Sequence, residues 1–196
     1  MSKRKQLWVL AGGNGAGKTT FYDEFLGPKK LAFINADILA ARLDAANAEA
    51  ISYKAAKLAE ELRMNLLRSG QSFCFETVFS HPSKIDFLGK AKSLDYEITL
   101  IYIHLQTDEL NQARVAQRVS QGGHNVPAEK IINRIPRTLR NVKQALSLVD
   151  YAMLYDNSSQ SQPFSSVALL NKGRLEIQLE ELPDWAKVML ADFIHP

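Results

Sequence analysis

The sequence predicts an α/β fold: a three-layer sandwich with a mainly parallel sheet, helices on both faces and a small C-terminal hairpin. Three observations predict it. The apolar run Leu7-Trp8-Val9-Leu10-Ala11 passes directly into Gly12-Gly13-Asn14-Gly15-Ala16-Gly17-Lys18-Thr19-Thr20. Strand-like apolar runs alternate with helical patterns along the chain, which calls for right-handed crossovers and hence parallel strands. Polar residues cluster at the carboxyl ends of those runs, where open α/β sheets bind their ligands.

The glycine-rich stretch has the spacing Gly, four free positions, Gly-Lys-Ser/Thr, filled by Gly12, Gly17, Lys18 and Thr19. This is the phosphate-binding loop of a P-loop NTPase-type fold, confirmed in context by a preceding strand and a following helix. Nucleotide phosphates carry several negative charges that backbone N–H groups can hold without crowding the site. Gly12, Gly13, Gly15 and Gly17 permit left-handed dihedrals and close approach, and the helix starting near Gly17 adds the positive end of its dipole. Lys18 is expected to reach the β and γ phosphates of ATP, with the Thr19 hydroxyl as a ligand of Mg²⁺.

Taken in order, residues 6–11 read as a strand buried on both faces. Lys18 to Leu26 reads as a helix ended by Gly27-Pro28. Leu31 to Ile34 is a second strand leading into Asn35-Ala36-Asp37 and a short helix from Ile38 to Leu43. Residues 48–69 carry the longest helical pattern, with Ile51, Ala55, Leu58, Leu62 and Leu66 on one stripe and charges mostly elsewhere. Beyond Gly70, Ser72 to Thr77 is the third strand, and Pro82 opens a helix to about Leu94. Ile98 to Leu105 is the fourth strand. Thr107-Asp108 caps a helix from Glu109 to about Gln121, which Gly122-Gly123 breaks. Helical sequence then runs to about Leu148, with Pro136 expected to kink or split it. Tyr151 to Tyr155 is a fifth strand. Ser166 to Leu170 and Leu175 to Leu179 flank the turn Asn171-Lys172-Gly173-Arg174 as a hairpin, and a helix from Asp184 to about Ile194 follows.

The 196 residues fit a single domain, 1–196, with a helical lid at about 108–148. With 46% hydrophobic and 23% charged residues, the balance is that of a soluble globular protein. A net charge of +3 does not by itself imply affinity for nucleic acid, which is not an expected partner. The single cysteine, Cys74, has no internal disulfide partner and reads as a small buried hydrophobe. Met1-Ser2-Lys3-Arg4-Lys5 is not followed by a signal-peptide core, and no apolar stretch is long enough for a bilayer, so a cytoplasmic location without membrane attachment is expected.

Phosphoryl transfer needs a hydroxyl aimed at the γ phosphate, a group to take its proton, and positive charge over the transferred group. Asp37 is the candidate base; as an alternative, it caps the helix beginning at Ile38. Glu76, at the end of the apolar Phe73-Cys74-Phe75, should point at a cation, a ligand or solvent, since a lone carboxylate is costly to bury. Thr77 and Ser80 could add weaker polar contacts. Arg114 and Arg118, at i and i+4, share a helix face with Leu110, Ala113 and Ala116 towards another, and Arg134 and Arg137 repeat the arrangement at i and i+3. With the Gly122-Gly123 loop between them, the region reads as a mobile lid that brings arginines, Arg118 and Arg134 foremost, over the nucleotide. Asn171-Lys172-Gly173-Arg174 lacks the aspartate of a guanine-recognition signature, and His81, His104, His124 and His195 are too scattered for a zinc site.

These residues resemble the zeta-toxin-like P-loop kinases. The resemblance rests on Ala11 to Thr20, on Asn35-Ala36-Asp37, on Phe75-Glu76-Thr77, and on Arg114-Val115-Ala116-Gln117-Arg118-Val119 leading into Gly122-Gly123-His124-Asn125-Val126-Pro127 and Arg134. It implies an ATP- and Mg²⁺-dependent kinase that phosphorylates a hydroxyl of a UDP-amino sugar such as UDP-N-acetylglucosamine. By the same resemblance Lys18 and Thr19 serve ATP and Mg²⁺, Asp37 is the base, Glu76 touches the substrate, Arg118 and Arg134 contact phosphates, and an antitoxin protein is a possible partner. Between Thr77 and Leu105 no motif of the family is recognisable. Two other functions fit the loop: a kinase for a different hydroxyl, on a nucleic-acid end or an antibiotic, and a nucleotide-dependent switch. Against the switch, no apolar strand ends in the acidic pair of a Walker B ATPase.

Overall fold

The strand β1 (Gln6–Gly12) runs through the middle of the molecule because its side chains are apolar on both faces. Leu7, Val9 and Ala11 pack into one layer of core, while Leu10 packs into the other. The computed structural model describes residues 4–44, 51–123 and 125–194. His124, His195 and the amino-terminal part of the helical pattern expected over 48–69 lie outside the described residues.

Around β1 the sheet is assembled from β2 (Ala32–Ile34), β3 (Phe73–Thr77), β4 (Glu97–His104), β5 (Tyr151–Asp156), β6 (Ser165–Asn171) and β7 (Arg174–Ile177). The spatial order is β2-β3-β1-β4-β5-β6-β7. The first five strands in this order are parallel, and β6 and β7 are antiparallel. The expected hairpin is present, its turn made by Lys172 and Gly173, both at positive φ. That backbone matches the right-handed twist of the flanking strands.

Helices cover both faces, as a parallel sheet requires. One layer is built by α3 (Ser52–Arg68), α4 (Ser83–Ser93), α6 (Ala128–Ala145) and α7 (Asp184–Ile194), which pack Ala59, Leu88, Val142 and Met189 among others onto Phe73, Phe75, Ile98 and Leu100. The other face is thinner. There α1 (Lys18–Phe21) and α5 (Asp108–Ser120) bring Phe21 and Leu110 against Leu10, Cys74, Ile101 and Ile103. Buried as expected, Cys74 has its thiol pKa raised by desolvation, with Glu76 adding to the effect. Among the described residues no helix is long and apolar enough to cross a membrane.

The structure departs from the sequence expectations in four places. First, α1 holds α-helical geometry for one turn, then continues as a π-helix over Tyr22–Leu26. The wider turn accompanies stacking of Tyr22 on Phe33, with ring centroids 3.6 Å apart. Second, α6 runs through Pro136 unbroken. Pro136 lies on the solvent face with Ile132, so water can satisfy the Ile132 carbonyl that loses its helical donor. Third, the most buried stripe of α3 is Ala55, Ala59, Arg63 and Leu67, not the one through Leu58 and Leu62. Fourth, α5 buries Asn111 and Val115, while Ala113 and Ala116 face solvent.

Candidate active site

The loop between β1 and α1 sits at the carboxyl edge of the parallel strands. Its glycines are required by what surrounds them. Gly12 has φ +156°, and a Cβ there would lie 2.5 Å from the Ile103 carbonyl oxygen of β4. Gly17 has φ +90°, and a Cβ would lie 2.6 Å from the Asn157 amide nitrogen. Gly15 also has positive φ, but Gly13 does not. Gly13 is needed instead because the Asn111 side chain approaches to 2.8 Å of where its Cβ would be.

Two asparagines from distant parts of the chain grip this loop by its carbonyls. Asn111 Nδ2 donates to Asn14 O at 2.6 Å, and Asn157 Nδ2 donates to Ala16 O at 3.0 Å. Asn157 in turn accepts the Phe164 N–H, which holds its amide in place. With its carbonyls engaged from behind, the loop is held in one shape. Sequence reasoning missed both residues, since an asparagine within a helix or after a strand carries no local signal of such a contact.

Lys18 is buried, and its ammonium donates to Gly13 O at 2.9 Å, folding back across the loop it follows. Its Nζ lies 3.6 Å from Glu76 Oε1. The other Glu76 oxygen accepts from the Thr19 hydroxyl at 2.9 Å and from Asn35 Nδ2 at 2.7 Å. Glu76 therefore points at a cation and at polar donors of the protein, as a carboxylate at the end of an apolar strand should. β3 neighbours β1 in the sheet with Leu10 opposite Glu76, which aims the carboxylate at the loop. Parallel pairing thus unites Lys18, Thr19 and Glu76 from positions 57 or more residues apart.

The Asn35 side chain answers the question left open about Asp37. Asn35 Oδ1 accepts from the N–H groups of Asp37 and Ile38, capping α2 (Ala36–Leu43). Asp37 is then an exposed first-turn residue whose carboxylate is not needed as a cap. It lines a cavity of about 620 Å³ together with Asn14, Lys18, Glu76, Arg118 and Arg134. Arg134 Nη1 donates to Asn14 Oδ1 at 3.3 Å. Burial and the neighbouring Arg137 lower the Arg134 pKa, while Asp37 acts in the opposite direction. Arg114 does not line this cavity; its stem lies beside Gly15.

Past Thr77, much of the cavity is lined by residues in which the sequence shows no motif. Thr77 lines it, but the Thr77 hydroxyl accepts the Phe79 N–H. Phe79 is fully buried at φ +62°, an uncommon conformation for a non-glycine residue. The corner is held by α6, where Thr138 Oγ1 donates to Val78 O and Asn141 Nδ2 donates to Phe79 O. Beyond it, Ser80, His81 and Lys84 continue the lining, and Tyr53 and Arg63 enter from α3. Gly122 and Gly123 close the end of α5 by donating to Val119 O and Arg118 O. Asn125, Val126 and Pro127 follow along the rim.

The oxygen donors at the loop suit a hard divalent cation: the Thr19 hydroxyl and the Glu76 carboxylate are adjacent. Lys18, the glycine backbone and Arg134 suit an anion. A parallel sheet with this loop after its central strand, and an exposed carboxylate lining the same cavity, is the architecture of a P-loop kinase-type fold. The zeta toxin family profile matches residues 1–166, and the chain belongs to that family.

An uncharacterised protein of Haemophilus influenzae is 30% identical over 136 residues, 66% of this chain and 96% of its own length. Among solved structures, the AvrRxo1-ORF1:-ORF2 assembly crystallised with ATP has a chain similar to this one, with a TM-score of 0.73 at 16% identity. The match covers 90% of this chain and 61% of the other, so the present chain spans about three fifths of that relative's length. A chain from the PezAT chromosomal toxin-antitoxin system of Streptococcus pneumoniae gives a TM-score of 0.64 at 16% identity, covering 99% of this chain and 85% of that one. At such identities these likenesses speak for the fold.

Proposed function

We propose that the protein is an ATP- and Mg²⁺-dependent kinase that phosphorylates a hydroxyl of a small molecule, a UDP-amino sugar such as UDP-N-acetylglucosamine being the acceptor that the family suggests. The observation that carries this reading is the placement of Asp37: released from capping by Asn35, it lines the same cavity as Lys18 and the phosphate loop. When bound, Mg·ATP supplies the transferable phosphoryl group and compensates part of its charge. The loop N–H groups and Lys18 hold the phosphates, and Thr19 and Glu76 hold the cation. Asp37 would accept the proton of the acceptor hydroxyl as its oxygen bonds to the γ phosphorus and the bond to the bridging oxygen breaks, leaving ADP. Arg134, tied to Asn14, and Arg118 offset charge on the transferred group.

In this reading the helical segment at about 108–148 serves as the lid, with Arg118 and Arg134 on its two helices. A protein inhibitor of the antitoxin kind is the partner suggested by the toxin-antitoxin relative, and a cytoplasmic location follows from that role.

The test is to incubate the purified protein with Mg·ATP and a panel of UDP-sugars, nucleosides and oligonucleotides, and to look by mass spectrometry for an added phosphoryl group. Transfer to a UDP-amino sugar is expected. Asp37→Ala should reduce it by on the order of 10³-fold or more, with binding of an ATP analogue retained. Wild-type turnover in Asp37→Ala would overturn the assignment of the base. Transfer only to oligonucleotides would replace the acceptor.

A further inference from the structure

Among the described residues the carboxylates lining the cavity are Asp37 and Glu76, and their surroundings differ. Glu76 meets three donors: Lys18 Nζ at 3.6 Å, the Thr19 hydroxyl at 2.9 Å and Asn35 Nδ2 at 2.7 Å. Asp37 is exposed, and among the described residues its carboxylate accepts no hydrogen bond; Arg134 interacts with it only at longer range.

Asn35 stands between the two acids and is 6% exposed. It follows Ile34 at the end of β2, and Glu76 follows Phe75 on β3, with Ile34 and Phe75 paired in parallel register. The two side chains therefore leave neighbouring strands at the same level. The network allows the Asn35 amide one orientation. Oδ1 accepts from the N–H groups of Asp37 at 2.8 Å and Ile38 at 3.2 Å, while Nδ2 donates to Glu76. Turned over, the amide would set its oxygen against the carboxylate and its NH₂ group against two N–H donors.

Other capping residues do not combine these two tasks. An aspartate would cap α2 but would face Glu76 with a second negative charge. A serine would cap it too, but the hydroxyl ends one bond short of where Nδ2 stands.

The three donors to Glu76 are not equivalent once nucleotide is bound. In the kinase reading Lys18 turns to the phosphates. The Thr19 hydroxyl, which here donates to Glu76, then presents a lone pair to the cation instead. Both donors leave Glu76. Asn35 does not, because its oxygen is held by the backbone of α2.

We propose that Asn35 is a positioning residue that holds the Glu76 carboxylate at the cation site while Lys18 and Thr19 serve the nucleotide. By capping α2 with the other end of the same amide, it keeps Asp37 untied as the base. One buried side chain thus divides the work of the two acids. This role rests on the kinase reading for Asp37, but the link to Glu76 can be measured by binding alone.

The experiment follows binding of a non-hydrolysable ATP analogue calorimetrically as free magnesium is varied, with urea unfolding of each protein. Asn35→Ser keeps a capping side chain, so its unfolding midpoint should stay near that of wild type. The free magnesium needed for half-maximal binding should nevertheless rise about tenfold, as expected for loss of a hydrogen bond to a charged group. Because Asn35 acts through Glu76, adding Asn35→Ser to Glu76→Gln should change that concentration less than about twofold. Asn35→Ala, which lacks the cap as well, should also lower the unfolding midpoint. An unchanged magnesium dependence in Asn35→Ser, or an equal rise in the Glu76→Gln background, would overturn the proposal. So would a magnesium dependence that merely tracks the unfolding midpoint across Asn35→Ser and Asn35→Ala. Coupling seen in binding, with no acceptor phosphorylated, would sink the kinase reading and leave the link between Asn35 and Glu76 standing. Phosphoryl transfer by Asn35→Ser with the kcat and magnesium dependence of wild type would do the reverse.

Discussion

On the loop side of the cavity, Lys18, Thr19, Asn14 and Asn35 each meet a protein partner within 3.3 Å. On the wall made by α3 and α4, among the described residues, Arg63 has a buried Nε with no hydrogen-bond partner and Lys84 Nζ donates to the neighbouring Ser83 hydroxyl. The first region is complete before any ligand arrives, so its dipoles and charges need little rearrangement when phosphates bind. The second is less completely partnered within the protein. A phosphate chain is the same in every nucleotide, and a loop can be finished for it.

Lys18→Ala should give the largest effect, a loss of transfer on the order of 10⁴-fold. If the loop side is the phosphate site, binding of the ATP analogue weakens with it. Unchanged binding would take Lys18 out of that site. Glu76→Gln keeps the shape but removes the charge beside Lys18 and Thr19. Steady-state rates should fall on the order of 10³-fold, with more Mg²⁺ needed for half-maximal rate. An unchanged magnesium requirement would remove Glu76 from the cation site.

A change in the body of the sheet should instead move stability and spare both regions. His104 is buried, stacks on Trp185 with centroids 4.4 Å apart, and shares a 2.9 Å hydrogen bond with the Tyr102 hydroxyl. Desolvation pushes its pKa down to about 4, against an opposing effect of Asp156. The unfolded chain, with the ordinary histidine value near 6.5, therefore binds more protons than the native state between about pH 4 and 6.5. Stability should fall as pH drops through that window, by about 3 kcal/mol from this residue. Urea unfolding of wild type and His104→Gln at pH 7 and pH 4 measures it; an equal pH dependence in the two would refute it. The smallest effect expected is that of Asn157→Ala, which frees the Ala16 carbonyl. It should weaken the ATP analogue about fivefold, since one buried hydrogen bond contributes about 1 kcal/mol. No weakening would mean that the loop keeps its shape without the clamp.

The contrast between the two regions also governs how much could be read in advance. Gly12 to Thr19 is a contiguous pattern, and Glu76 and Asp37 stand out as acids following apolar runs. Arg63 gives no such signal, because the periodicity of α3 places the apolar stripe through Leu58 and Leu62, and a buried arginine runs against hydropathy. The corner at Phe79 is equally silent: its φ of +62° is imposed by Thr77, Thr138 and Asn141, not preferred by phenylalanine. Pro136 was expected to kink or split its helix, yet α6 runs through it, with the Ile132 carbonyl on the exposed face open to water.

The sequence by itself determined the phosphate loop, the alternation of strands and helices, the C-terminal hairpin and the carboxylates at the strand ends. These depend on short-range physics: glycine dihedrals, apolar runs suited to a sheet covered on both faces, and turn residues that accept positive φ. Only the tertiary structure decided that Asn35 caps α2 and leaves Asp37 free, and that Glu76 meets Thr19. It alone placed Asn111 and Asn157, 97 and 141 residues from their partners, against the loop carbonyls. It also brought Arg63 and Lys84 together. The choice of partner for a polar side chain is made where distant elements pack, after the chain has closed its long loops.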